Sequence, residues 1–367
     1  MKINRIDTWK FQPPFRDGPY VMSHITQDFA YGRILRIRTD NGLTGLGEIV
    51  FAPSVSVEDR MNLAAKEGEY LSDLIGKNVD SLTGTAEQMR PGGKPWCGIA
   101  FGLETAWYDV IGKHRNQPVS QLLGTPQTDA VTGYFSVSER TSEKVTRRIT
   151  GAHPATKVFQ LKIGIGTLDD DEAHVTAALA AMRDNQILLA DANGGWSISE
   201  AKEVASRFDD PRIVWEEPCT SYDDNAAVAR AIAEPVMVDQ CVGNLATATR
   251  AANDGLAASL CIKPAFIGGL NPGRDVIELC RQKNLQIRID GPWCVDIATA
   301  AILHLALTAP PALLISSCDL REPLVIEPDL QGVVHTPSGD ICPPPGPGLG
   351  ITIKDNFLGP PEATYGT

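Results

Sequence analysis

The stretch VFQLKIGIG, residues 158–166, reads as a buried β-strand that carries a lysine near its end. Side chains alternate across a strand, so Phe159, Leu161 and Ile163 share one face while Val158, Gln160 and Lys162 share the other. Lysine is rarely buried without a partner or a task, so Lys162 calls for a reason.

Working outward, seven more β-rich runs follow the same plan: AVTGYFSV (130–137), ILLAD (187–191), RIVWEE (212–217), PVMVD (235–239), SLCIK (259–263), LQIRID (285–290) and ALLISS (312–317). Helix-like stretches separate them. DDDEAHVTAALAAMRDN opens with acids suited to a helix N-terminus, and SISEAKEVASRF offers Ser197 as N-cap with Glu200 completing a capping box. Eight strands alternating with helices predict a parallel (β/α)8-type barrel of the modified TIM kind over residues 126–320.

Residues 1–125 have a different texture. A strand, a hairpin turning at Asp40-Asn41-Gly42 and then helices suggest an α+β capping domain. The Pro/Gly-rich CPPPGPGLG suits no regular element, and the tail 321–367 is expected to complete the cap. Gly42, Gly45 and Gly47 precede Glu48 in the wrong order for a dinucleotide fingerprint and are read as hairpin glycines.

Charged residues recur at the strand ends: Lys162, Asp191, Glu216, Asp239, Lys263 and Asp290, in steps of 29, 25, 23, 24 and 27 residues, one βα unit each. In such a barrel those ends converge at the mouth where catalytic groups lie. Asp191, Glu216 and Asp239 end consecutive strands and would repel unless a cation sat among them; hard oxygen ligands describe Mg2+. An ion-pair cluster with the lysines is the alternative. Lys162 on the second strand and Lys263 on the sixth should approach a central ligand from opposite sides. Beside a divalent cation and away from water, such a lysine is expected to have a lowered pKa and to act as a base.

A net charge of −12 argues against nucleic acid and membrane surfaces as partners. No apolar run approaches the ~20 residues that span a bilayer, and the opening MKINRIDTWKF lacks a signal-peptide core. A cytoplasmic protein is the expectation. The eight cysteines form no CxxC pair and are read as reduced thiols. The six histidines show no ligand spacing.

Together QLKIG, LLADANGGW, VWEEP, VMVDQ, CIKPAFIGGL and GPGLGIT resemble the enolase superfamily, in its muconate-lactonizing and mandelate-racemase-like branch, along essentially the whole chain. The resemblance implies that Asp191, Glu216 and Asp239 bind Mg2+, with Glu217 as fallback for Glu216, that Lys162 and Lys263 are the acid/base pair, and that Asn193 supports the site. It also implies a homo-oligomer. Two departures stand out: Gln160 replaces the first lysine of the usual lysine-x-lysine pair, and Asp239-Gln240 replaces aspartate-glutamate. Gln160 should make the pocket less electropositive and change how the carboxylate or Lys162 is oriented. The histidine that the mandelate-racemase branch places on strand seven is absent; that strand ends in Asp290.

Within the superfamily, DGPY (17–20), GPWCVD (291–296) and the motifs above look similar to a group acting on proline derivatives, including hydroxyproline-betaine 2-epimerases and a cis-3-hydroxy-L-proline dehydratase. This resemblance implies a small amino-acid substrate, either dehydrated or epimerised at Cα. Tyr20 and Trp293 are candidates for an aromatic wall, or for packing. Asp296 and Asp319 are candidates for substrate contact, or for solvated surface. Asp319 stands just past strand eight, where betaine enzymes are expected to offer an aromatic, and this favours a free amine. Loops around 17–24 and 48–54 are expected to close over the substrate. A barrel that has lost catalysis and only binds metal or ligand is the reading from another class.

Overall fold

The computed structural model describes residues 1–23 and 25–367; His24, in the first of the two expected closing loops, lies outside the described residues. Tyr134–Val137, Val158–Lys162, Ile187–Asp191, Ile213–Glu216, Val236–Val238, Ser259–Ile262, Gln286–Ile289 and Leu314–Ser316 form one parallel sheet in chain order. A parallel bridge between Gly133 and Ser317 brings the last strand to the first, and Ser317 N–H donates to Thr132 O at 2.8 Å. The sheet thus nearly closes into a barrel, as expected. Its strands are shorter than the apolar runs suggested.

Alternation decides what each strand offers. Phe159, Leu161, Leu188, Ala190, Ile213 and Trp215 pack in the core shared with surrounding helices. Val158, Leu189, Val214, Met237, Cys261 and Ile315 form a separate cluster that fills the barrel. Each such buried side chain contributes roughly 1.5–3 kcal/mol. Above that layer, on the same inward faces, come Gln160 and Lys162, Asp191 and Glu216, so the apolar plug supports the polar mouth. The flanking helices begin where expected: the Ser197–Glu200 capping box is present, and Thr167 and Asp170 form a second one.

The cap is an antiparallel sheet in the order Ala363–Gly366, Ile3–Phe11, Gly32–Thr39, Thr44–Val50, so the tail supplies its edge strand. Only Gly42, at φ +84°, serves the hairpin turn. Gly45 and Gly47 lie within the strand and let the helix Lys94–Arg115 approach closely; a Cβ on Gly47 would stand 2.1 Å from the Gly102 carbonyl oxygen. Glu48, next along, reaches the barrel, accepting from the Val295 and Ala298 N–H groups at 2.8 Å each and capping the helix Asp296–Ala306.

Asp296, expected at the substrate, is instead the first residue of that helix. Its carboxylate accepts from Gly332 N–H at 2.6 Å and pairs with Arg321 at 3.0 Å, pinning the tail. No helix among the described residues is long and apolar enough to cross a membrane. The eight cysteines are unpaired.

Candidate active site

The second and sixth strands deliver Lys162 and Lys263 to one cavity of about 40 Å3, shared with Gln160, Asn193, Arg288 and Asp290 and roofed by Tyr20, Met22 and Pro53 of the cap. Beneath it the carboxylates are tightly partnered. Lys162 Nζ donates to Asp191 Oδ2 at 2.5 Å and Lys263 Nζ to Asp239 Oδ2 at 2.6 Å. Gln160 Nε2 donates to both Asp191 Oδ2 and Glu216 Oε2 at 3.0 Å. Arg288, fully buried on the seventh strand, donates to the same Glu216 Oε2 at 2.6 Å and to Asp290 Oδ2 at 2.5 Å.

Asn193 joins this set by a turn rather than by a continued strand. Its backbone is left-handed at φ +47°, its N–H donates to Asp191 Oδ1 at 2.9 Å and its amide to Oδ2 at 3.0 Å. Glu216, not Glu217, faces inward: Glu217 turns away at φ +44°, and its carboxylate accepts from Asp239 N–H and from Cys241 N–H at 2.7 Å.

Burial pushes Glu216 up to about 7 against the opposing charge of Arg288, and pushes Glu217 up to about 8 with help from Asp239. Burial acts against ionisation of Asp239 too, but Lys263 and Arg288 outweigh it and hold that carboxyl below its usual range. Burial alone would depress both lysines. Asp191 with Tyr20 and Glu216, and Asp239 with Cys261 and Asp290, instead raise Lys162 and Lys263 above the ordinary lysine value. The lowered lysine pKa expected from sequence counted the charge of a divalent ion; with the carboxylates as the counter-ions the sign reverses.

Tyr20 and Trp293 both line the cavity and pack on each other, their rings 4.9 Å apart and edge-on, with Phe15 behind them at 5.3 and 6.0 Å. Tyr20 Oη shares a hydrogen bond of 3.3 Å with Ser136 Oγ. Asp319 is not brought to this cavity. It lines a neighbouring one of about 350 Å3, where it pairs with His335 Nε2 at 2.8 Å, because the chain turns at Arg321 just after the eighth strand. Asp319 therefore gives no support for a free amine.

Arg288, Tyr134 and Phe266 also line the lysine cavity and were missed. For Arg288 a signal existed: in LQIRID it shares a face with Asp290.

The acidic cluster suits a hard cation. Glu216 Oε1, Asp239 Oδ1 and Asn193 Oδ1 are buried with no hydrogen-bond partner among the described residues, and a bare buried carboxylate oxygen is costly unless a cation meets it. Donor atoms of Glu216, Asp239 and Cys261 lie within 4.8 Å of one another. Burial keeps the Cys261 thiol protonated, far above its usual value, so it is a poor ligand for a hard ion. Asp191, expected as the third ligand, lies outside that group: its Oδ1 accepts from Asn193 N–H and its Oδ2 from Lys162, Gln160 and Asn193, and it meets Glu216 through Gln160.

The Enolase C-terminal domain-like family matches residues 142–357, and the mandelate racemase / muconate lactonizing enzyme N-terminal domain matches residues 5–124. Cis-3-hydroxy-L-proline dehydratase of Roseibium aggregatum is 29% identical over 377 aligned residues, covering 100% of both chains. N-succinyl-L-Arg/Lys racemase of Bacillus cereus is 25% identical, covering 98% of this chain and 97% of the racemase. A crystal structure of an enolase superfamily member from Roseovarius nubinhibens, complexed with magnesium, superposes with TM-score 0.86 at 27% identity over 100% of both chains. With both domains matched and the barrel, cap and inward-facing acids in place, the chain belongs to the enolase superfamily, among its mandelate racemase/muconate lactonizing enzymes.

Proposed function

We propose that the chain removes the α-proton of a small cyclic amino-acid carboxylate and expels its β-hydroxyl, with cis-3-hydroxy-L-proline as the leading substrate. The observation that carries this reading is the delivery of Lys162 and Lys263, from strands two and six, to one cavity above the acidic cluster. Full-length likeness to a cis-3-hydroxy-L-proline dehydratase supports the substrate. Asp191, Glu216 and Asp239 would hold Mg2+, which supplies positive charge where negative charge develops on the substrate carboxylate.

The stereochemistry suits two lysines on opposite sides. In the cis isomer the hydroxyl lies on the carboxylate's face of the ring, so the α-hydrogen lies on the other. One lysine takes that proton while its opposite gives a proton to the departing hydroxyl. The C–H and C–O bonds break, a C=C bond forms and water leaves; the enamine tautomerises to a cyclic imine, which adds a solvent water and opens to an amino keto acid. Gln160 and Asn193 hold Asp191 and Glu216 in register, and the cap loop excludes water.

A second reading is 2-epimerisation of proline, hydroxyproline or their betaines, the lysines exchanging roles on the two faces. The Tyr20–Trp293 wall favours it, since aromatic faces hold quaternary ammonium groups. Incubation in D2O with candidate prolines separates the two: keto acid release supports dehydration, and deuterium at Cα with the hydroxyl intact supports epimerisation. Lys162→Ala and Lys263→Ala are each expected to lower turnover by about 10²-fold or more. If both leave α-proton exchange unchanged, the two-lysine mechanism is wrong; if the unaltered protein exchanges no candidate, the ligand-binding barrel gains.

A further inference from the structure

Gln160 stands where the superfamily pattern has a lysine, yet the site has not lost that charge. The Gln160 amide nitrogen spends its two hydrogens on Asp191 Oδ2 and Glu216 Oε2 and brings no charge to either. The cation comes from across the barrel. Arg288 is 0% exposed, lies 4.9 Å over the Tyr134 ring, and joins Glu216 Oε2 at 2.6 Å to Asp290 Oδ2 at 2.5 Å. Gln160 and Arg288 thus grip the same carboxylate oxygen from two strands, and Glu216 Oε1 is left bare.

We propose that Arg288 is the positioning residue for Glu216, the relocated counterpart of the lysine absent at position 160, and that with Gln160 it turns Glu216 Oε1 toward a bound divalent cation. This rests on the metal reading above. A planar guanidinium fixes two carboxylates at once, here Glu216 and Asp290. Removing it leaves Glu216 and Asp290 buried without their shared cation and frees the Glu216 carboxylate to rotate.

The test is Mg2+ binding by calorimetry, with circular dichroism as the check of folding, on the unaltered protein, R288M and Q160K/R288M. Orienting partners of metal ligands are commonly worth roughly 10- to 100-fold in affinity, and R288M is expected to lose that much. Q160K/R288M, with the cation back on strand two, is expected to return to within about threefold of the unaltered protein, a non-additive pair. Equal Mg2+ affinity in R288M overturns the proposal, as does a double variant no better than R288M. If R288M fails to fold, the double decides: folded and binding supports the proposal, unfolded overturns it. An unaltered protein that binds no Mg2+ removes the metal reading and this proposal with it, whereas tight binding with an indifferent R288M removes only the role of Arg288.

Discussion

His304 shows how a single buried group sets an acid limit on this fold. It sits at 2% exposure on the helix Asp296–Ala306, and Ser120 N–H donates to its Nδ1 at 3.3 Å, which requires that nitrogen to be unprotonated. Burial pulls its pKa down to about 4, a backbone contact with Leu349 opposing in part, while the unfolded value is about 6.5. The folded pKa is the lower one, so the contribution is fully present above about 6.5 and is lost as pH falls toward 4; the difference is worth roughly 3 kcal/mol. Denaturant unfolding at pH 7 and pH 4 should show His304→Gln, which keeps an acceptor, losing about that much less than the unaltered protein. Equal losses would rule the histidine out. At this scale the sequence reveals groups whose neighbours come from strand alternation: period 2 puts Gln160, Lys162, Asp191 and Glu216 on the inward faces where the structure has them. It hides Arg288, whose partner Glu216 stands 72 positions away across the barrel. It misplaces Asp319, since nothing local announces the turn at Arg321.

Among the elements, the strand Thr44–Val50 and the helix Lys94–Arg115 are joined through missing side chains. Gly102 would place its own Cβ 2.8 Å from Ile49 Cγ1, and Gly98 would place one 2.0 Å from the Val50 carbonyl oxygen. Gly47→Ala must push the helix off the sheet, because the nearest atom is backbone and cannot rotate aside. Overpacking of this kind costs ~1–3 kcal/mol, and since Glu48 caps a barrel helix from the neighbouring position, the displacement should reach the barrel. Thermal melts of Gly47→Ala should fall by several degrees; an unchanged midpoint would show that the packing has slack. The barrel was readable because a βα repeat announces itself eight times, whereas these glycines are ambiguous between turn and contact until the facing helix is known. Strand ends were overread for a related reason: Glu217 and Asn193 continue the polar pattern but leave the strand in left-handed conformations.

For the whole molecule, the cap and the tail meet over the barrel mouth. Arg16 N–H donates to Pro323 O at 2.8 Å and Val325 N–H to Pro14 O at 2.9 Å, so the loop that carries Tyr20 and Met22 starts from a seam between the first and last parts of the chain. The pairing of Tyr20–Val21 with Thr26–Gln27 folds that loop into a hairpin, and Ser23 Oγ donates to Asn193 O at 2.9 Å, fastening it to the loop after strand three. A cavity of about 40 Å3 has little room to spare, so for the proposed proline-sized substrate the hairpin is expected to lift on entry and settle again to exclude water. Residues 16–19 are exposed while Phe15 and Tyr20 are buried, so the expected point of yielding lies between two aromatic anchors. Hydrogen–deuterium exchange across residues 16–23 should therefore be fast in the free protein. It should slow severalfold when Mg2+ and cis-3-hydroxy-L-proline are present together, and less with either alone, because only a filled cavity gives the aromatic wall something to close on. Exchange that ignores the ligands while turnover proceeds would mean that the substrate enters by another route, and the neighbouring cavity beside Trp293 and Asp319 would be the place to look for it.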